Sequence, residues 1–81
     1  MITTSEIIKE IKKHFKVNMT PVSYDLFIDP LECINVDNND VILKASSEWT
    51  KSVIDKRFID DIRLVTKNLL NKQIIRITIT N

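Results

Sequence analysis

The chain contains no glycine in 81 residues, and this absence restricts its fold and chemistry more than any other feature. Glycine lets a backbone approach a phosphate closely, or adopt left-handed conformations without steric cost. The P-loop, the dinucleotide-binding fingerprint and the GXXG loop that clamps RNA all depend on it. The sequence therefore excludes these sites in their usual form, and we expect no nucleotide and no other cofactor in this chain.

Length and composition place the chain among small globular proteins. With 43% hydrophobic and 28% charged residues, it fits a single domain spanning residues 1–81. The formal net charge of +1 produces no overall field that would attract nucleic acid or an anionic membrane. Binding of either kind would therefore require a local basic patch.

The N-terminal segment and the cysteine count indicate the compartment. The stretch "MITTSEIIKE" is charged and amphipathic, whereas a signal peptide needs an uninterrupted apolar core. No apolar run approaches the roughly 20 residues that cross a bilayer. The single cysteine, Cys33, cannot form an internal disulfide. These features lead us to expect a cytoplasmic protein, in a bacterial-type or other reducing compartment, without membrane attachment.

Start and stop signals predict two helices in the first third of the chain. Thr3 followed by Glu6 is a capping-box pattern. A helix from Thr4 to Val17 is then predicted, because the apolar residues recur at helical spacing: Ile7, Ile8, Ile11 and Phe15. A threonine before a proline starts a second helix, "PVSYDLFI", which the next proline ends.

The remainder of the chain predicts a hairpin, a long helix and a final strand. "LECINV" and "VILKA" flank "DNND", where Asn38 and Asn39 can take the left-handed conformations of a tight turn. A serine at position 46 or 47 caps a helix that reaches Leu70, and Asn71 follows as its C-terminal cap. "QIIRITIT" alternates isoleucine with polar residues. The predicted order is α-α-β-β-α-β, an α+β fold with a three-stranded sheet packed by helices.

Trp49, the only tryptophan, lies near the start of the long helix, away from its apolar stripe. On a straight helix at about 100° per residue, Trp49 lies nearly opposite Ile54, and Val53 lies on the same side as Trp49. Two alternatives remain open, because a bend within "DKRF" would turn Trp49 towards the core. Trp49 is then either a contact residue or a core residue. The stripe itself repeats at steps of three and four: Ile54, Phe58, Ile62, Val65 and Leu69.

No group of residues carries a recognisable catalytic or metal-binding pattern. His14 is the only histidine and Cys33 the only cysteine, so a zinc-type site would need carboxylates from distant parts of the chain. The two residues lie in different predicted elements, and neither is surrounded by a known nucleophile motif. We therefore predict no catalytic residue and no bound metal.

Four lysines follow helical spacing on the first helix and form a basic stripe. Such a stripe can track the phosphates of a single-stranded nucleic acid, or it can be an ordinary solvated face. Binding of single strands normally adds aromatic side chains on which bases stack. Only Phe15 lies among these lysines, and its spacing assigns it to the core. The stripe, which we name the lysine stripe, consists of Lys9, Lys12, Lys13 and Lys16.

The order and spacing of several motifs resemble the N-terminal domain of the bacterial replication initiator DnaA. The marker of that family is an aromatic–aliphatic–x–Pro–Leu run that closes the second helix, matched here by "FIDPL" at 27–31. After the second strand, the family has a helix that opens with an aromatic residue, and about two turns later a basic–aromatic pair. Trp49 and Arg57-Phe58 match these positions. The resemblance covers nearly the whole chain.

The resemblance implies a K-homology-like fold that acts as a non-catalytic assembly module in replication initiation. Family members dock the replicative helicase, receive regulators, self-associate and bind single-stranded DNA weakly. The position of Trp49 contributes to helicase contact, which makes Trp49 and Val53 the expected partner surface. The start of the first helix contributes to self-association, often through a tryptophan. Here Ile7 and Ile8 stand in that region, so we expect any homodimer to be weak.

Overall fold

The computed structural model describes residues 2–81, and the elements follow the predicted order α-α-β-β-α-β. These residues form three helices and a three-stranded mixed sheet, which confirms the α+β fold. Two of the helices contain a π-helical stretch. The elements are α1 (Thr4–Asn18), α2 (21–28; α-helical at Pro21–Ser23, π-helical at Tyr24–Ile28), β1 (Glu32–Asp37), β2 (Asp40–Lys44), α3 (48–70; α-helical at Glu48–Val53, π-helical at Ile54–Phe58, α-helical at Ile59–Leu70) and β3 (Arg76–Thr80).

The predicted caps hold the ends of the helices. The Thr3 hydroxyl accepts a hydrogen bond from the Glu6 N–H at 3.2 Å, which starts α1. At α3, the Ser47 hydroxyl accepts from the Thr50 N–H at 3.2 Å, and the Thr50 hydroxyl accepts from the Ser47 N–H at 3.0 Å. Asn71 ends α3 in the left-handed conformation, with φ 55°. Local sequence signals are sufficient here, because each cap involves residues within one helical turn.

The sheet has β2 at its centre, antiparallel to β1 and parallel to β3. Val41 and Leu43 of β2 are completely buried, whereas Asp40 and Lys44 are exposed. One face of the sheet therefore packs against the helices. The fully or almost fully buried apolar residues form one cluster: Ile7, Ile11, Phe15, Tyr24, Ile28, Leu31, Val41, Leu43, Ala45, Ile54, Ile62, Ile75 and Ile79.

The hairpin forms as predicted, but the backbone conformation proposed for its turn is wrong. Among residues 2–81, Asn71 alone has a positive φ, so neither Asn38 nor Asn39 is left-handed. The Asp37 carboxylate instead accepts a hydrogen bond from the Asn38 N–H at 2.8 Å. The Asn39 carbonyl accepts from the Arg76 N–H at 2.7 Å. A side-chain hydrogen bond and the attachment to β3 thus hold the turn without left-handed residues.

Helix α3 is interrupted by π-helical geometry in the segment where the sequence allowed a bend. The π-helical turn covers Ile54–Phe58, and Phe58 has φ −117° and ψ −6°. The stripe still faces the core, since Ile54 and Ile62 are completely buried. Thr66 is also completely buried, and its hydroxyl donates to the Ile62 carbonyl at 2.7 Å. Within residues 2–81, no helix combines the length and the apolar composition needed to cross a membrane.

Candidate functional site

Trp49 lies outside the core, on the first turns of α3. Its side chain is 57% exposed, which decides between the two alternatives in favour of the off-core position. The five-residue step from Trp49 to Ile54 lies in ordinary α-helical geometry, because the π-helical turn begins only at Ile54. The π-helical turn therefore does not rotate Trp49 inward. Val53 is half-buried.

A row of four aromatic rings connects Trp49 to the core. Trp49 packs on Phe27 of α2 with ring centroids 5.3 Å apart, and Phe27 packs on Phe58 at 5.9 Å. Phe58 packs edge-on against Phe15 of α1 at 5.7 Å, and Phe15 is 2% exposed. We name Trp49, Phe27, Phe58 and Phe15 the aromatic row. Such ring pairs contribute beyond the apolar area that they bury, so the row holds Trp49 in place.

Both π-helical turns contribute a ring to the aromatic row. Phe27 belongs to the π-helical part of α2, and Phe58 is the last residue of the π-helical turn in α3. π-helical turns are rare and often lie at functional sites. The sequence pattern places Phe58 in the core stripe and Phe27 in a family motif, and it does not predict their contact. The sequence did contain one signal, namely the family motifs. Their three aromatic residues, Phe27, Trp49 and Phe58, are the ones whose rings pack together in the structure.

Helix α2 carries a further exposed apolar side chain. Leu26, one residue before Phe27, is 45% exposed. We name the surface formed by Trp49, Phe27, Val53 and Leu26 the Trp49 face. Single exposed apolar residues are ordinary, but several on adjoining helices are typical of interaction sites. The Trp49 face is the candidate functional site.

The structure separates the two isoleucines expected at a self-association surface. Ile7 is completely buried, because it shares its helical side with Ile11 and Phe15. It cannot contact a partner in this fold, and its assignment as a contact residue is corrected to a core residue. Ile8 is half-buried and lines a groove of about 290 Å³ between α1 and β1, together with Cys33. Only Ile8 of the pair retains access to a partner.

The lysine stripe faces solvent but spreads over two flanks of α1. Lys9, Lys13 and Lys16 are exposed, whereas Lys12 is half-buried. Lys12 lines the groove beside β1, and Lys13 lines a groove beside α3. Within residues 2–81, none of these four lysines forms a salt bridge. Phe15, the phenylalanine of α1, is 2% exposed and offers them no surface on which a base could stack.

The structure does not bring His14 and Cys33 together. His14 lines the groove of about 500 Å³ between α1 and α3, and Cys33 lines the groove on the other side of α1. Burial raises the pKa of the Cys33 thiol, which disfavours the nucleophilic thiolate. Within residues 2–81, no three histidine, cysteine, aspartate or glutamate side chains are grouped so that they could hold a metal ion. Cys33 therefore has the character of a small apolar residue.

Comparison with protein families identifies a family that the chain resembles. A family model described as the DnaA N-terminal domain matches residues 5–68. The matched range begins in α1 and ends in α3, so it contains the whole Trp49 face and the aromatic row. No curated protein matches the chain.

Proposed function

The chain belongs to the DnaA N-terminal domain family, and we propose that it docks other proteins of the replication-initiation apparatus through the Trp49 face. Membership gives the chain a role in replication initiation. The proposed role in replication initiation is non-catalytic. It is carried out in the cytoplasm, where the apparatus assembles. The observation that carries the proposal is a tryptophan that is 57% exposed, yet held against Phe27 by ring contact.

Physical reasons support a docking role for this surface. Interface energy concentrates in a few residues, and tryptophan is enriched among them because it offers a large apolar area. A ring already held in one orientation loses little conformational freedom on binding. The contact between Phe27 and Trp49, and the contact between Phe27 and Phe58, supply that order before any partner arrives.

The replicative helicase is the first proposed partner, and regulators of initiation are the alternative on the same surface. The family resemblance suggests this partner, because in the family the residue at the position of Trp49 contributes to helicase contact. Since Trp49 is the only tryptophan, 5-fluorotryptophan labels one position. Titration with the replicative helicase of the same cell should shift or broaden the single fluorine signal. Helicase binding that leaves this signal unchanged would place the contact elsewhere.

We expect self-association to be weak. Ile7 is completely buried and Ile8 is half-buried, so the start of α1 offers little apolar area to a second copy. A stable interface needs about 800 Å² from each partner. Sedimentation velocity at micromolar concentration should show mostly monomer. A tight dimer that Ile8→Ala abolishes would contradict this expectation.

Weak binding of single-stranded DNA by the lysine stripe is a second candidate function. The observation that favours it is that all four lysines lack a salt bridge within the described residues. Replacing Lys9 and Lys13 by glutamate should weaken binding and flatten its dependence on salt, because fewer phosphate counterions are released. Fluorescence anisotropy at several salt concentrations measures both quantities. Glutamates at Lys44 and Lys56, which are also exposed, are the matched control for net charge. An equal effect of both pairs would remove the lysine stripe as a specific site.

A further inference from the structure

The sheet has two edge strands, and they differ in how well they are protected against pairing with a further strand. Within residues 2–81, the strand order β1-β2-β3 leaves one side of β1 and one side of β3 without a neighbour. The pairing of β1 with β2 is irregular between Cys33 and Asn35, and β1 carries an acidic residue at each end, Glu32 and Asp37. Bulges and charges on an edge strand oppose pairing with another chain. Strand β1 is therefore a protected edge.

Strand β3 lacks these protective features. Its pairing with β2 is regular over the whole strand, Arg76–Thr80. Arg76 is the only charged residue of the strand, and the Asp40 carboxylate lies 3.6 Å from its guanidinium and offsets its charge. The other residues of β3 are isoleucine and threonine, whose branched side chains favour strands. A regular edge strand of this composition is open to pairing with a further strand.

The backbone hydrogen bonds of β3 show which of its groups face β2. The Arg76 N–H donates to the Asn39 carbonyl at 2.7 Å, and the Thr80 carbonyl accepts from the Ala45 N–H at 2.7 Å. In a parallel ladder, the backbone groups of successive residues point to alternate sides of the strand. Every second residue from Arg76 to Thr80 therefore directs its N–H and C=O groups towards β2.

Ile77 and Ile79 are the residues in between, so their N–H and C=O groups point away from β2. In the described part of the chain, neither a third strand nor a loop pairs with these groups. Unpaired donors and acceptors at strand spacing are complementary to those of another extended strand, which is the basis of recognition by strand addition. The chemistry of this edge therefore fits a β-strand.

A second copy of β3 fits this edge in an antiparallel arrangement about a two-fold axis at Thr78. Ile77 of one copy then lies opposite Ile79 of the other, and each such pair can exchange two backbone hydrogen bonds. Arg76 lies opposite Thr80, so no two like charges meet. Thr78 lies opposite the same residue of the second copy. The strand is therefore complementary to itself.

We propose that β3 pairs with β3 of a second copy, so that the two sheets join into one continuous sheet. The charges favour this strand over β1, because the same arrangement of β1 would place Glu32 opposite Asp37, and opposed like charges are destabilising. One five-residue strand gives a small contact, which agrees with the weak self-association expected above. The surface is separate from the start of α1, and it does not depend on the Trp49 face.

NMR of the isotope-labelled full chain tests this pairing. Between about 0.02 and about 1 mM, the amide signals of Ile77 and Ile79 should shift, and their hydrogen exchange should slow, because these N–H groups become hydrogen-bonded. The exchange of the Thr78 amide, which already bonds to β2, should change much less. Unchanged signals of Ile77 and Ile79 at the highest concentration would overturn the proposal. So would a dependence on concentration that is confined to Ile8 and its neighbours on α1.

Charge at position 78 gives a second test, because the two-fold axis places this residue opposite its own copy. Thr78→Lys and Thr78→Glu should each weaken association about fivefold at low salt, since like charges then face each other. An equimolar mixture of the two variants should associate at least as tightly as the unchanged chain. Thr78 is exposed, so neither variant should change the free energy of unfolding by much.

Asn35→Lys is the control for added charge. Asn35 is exposed on β1, the other edge strand, and its replacement should leave association unchanged. An equal effect of Asn35→Lys and Thr78→Lys would overturn the proposal, as would a mixture that associates no more tightly than its components. Growth beyond a dimer would also overturn it, because two-fold pairing occupies the β3 edge of both copies.

Discussion

Trp49→Ala is expected to lower the affinity for the replicative helicase by about 2 kcal/mol or more, roughly 30-fold, because exposed tryptophans in docking surfaces dominate binding energy. The free energy of unfolding should fall by only about 1 kcal/mol or less. Trp49 is 57% exposed and loses mainly its contact with Phe27. Isothermal titration with the helicase gives the first quantity, and urea denaturation followed by circular dichroism gives the second.

The matched control for this prediction is Leu64→Ala. Leu64 is 55% exposed, which is close to the exposure of Trp49, but it lies in the C-terminal part of α3 and outside the Trp49 face. Leu64→Ala should change neither the affinity for the helicase nor the free energy of unfolding by much. A loss of several kcal/mol in the unfolding of Trp49→Ala would show that Trp49 supports the core. An equal loss of helicase affinity in both variants would show that the docking surface is wrongly placed.

Phe15→Ala should destabilise the domain by about 3–5 kcal/mol, the usual cost of removing a buried ring. Phe15 is 2% exposed, and it packs edge-on against Phe58 at 5.7 Å. Proteins are stable by only about 5–15 kcal/mol in total, so the variant should lose a large share of its stability. Urea denaturation should show a much lower midpoint, with the slope unchanged.

Phe15→Leu separates the loss of volume from the loss of the ring. Leucine fills most of the space, so its cost should remain below about 1.5 kcal/mol. The fluorine signal of labelled Trp49 should still move in this variant, because the last ring of the aromatic row is missing. If Phe15→Ala cost as little as Phe15→Leu, Phe15 would not be the anchor of the row. If the Trp49 signal did not move, the row would not transmit order to the surface.

The sequence by itself determined the order of elements and the ends of the helices. Thr3, Ser47 and Asn71 occupy the cap positions that local hydrogen-bonding rules predict. The alternation of Ile77 and Ile79 with polar neighbours marks β3. The spacing of the family motifs identified the family, which the match over residues 5–68 confirms. These features depend on residues within a few positions of one another, so a linear pattern contains them.

Only the tertiary structure decided which side chains are accessible. Ile7 and Ile8 are adjacent and chemically identical, yet Ile7 is completely buried and Ile8 lines a groove, because α1 turns one of them towards the core. The sequence left Trp49 between core and contact, and its exposure depends on how α2 and α3 pack together. The turn at Asn39 likewise depends on a hydrogen bond from β3.

The aromatic row was also decided by tertiary structure. The four rings come from α1, α2 and α3, and the π-helical turns that carry Phe27 and Phe58 leave no signal in the order of residues. Contacts between residues far apart in the chain form only when the whole core packs, and periodicity within one element contains no information about them.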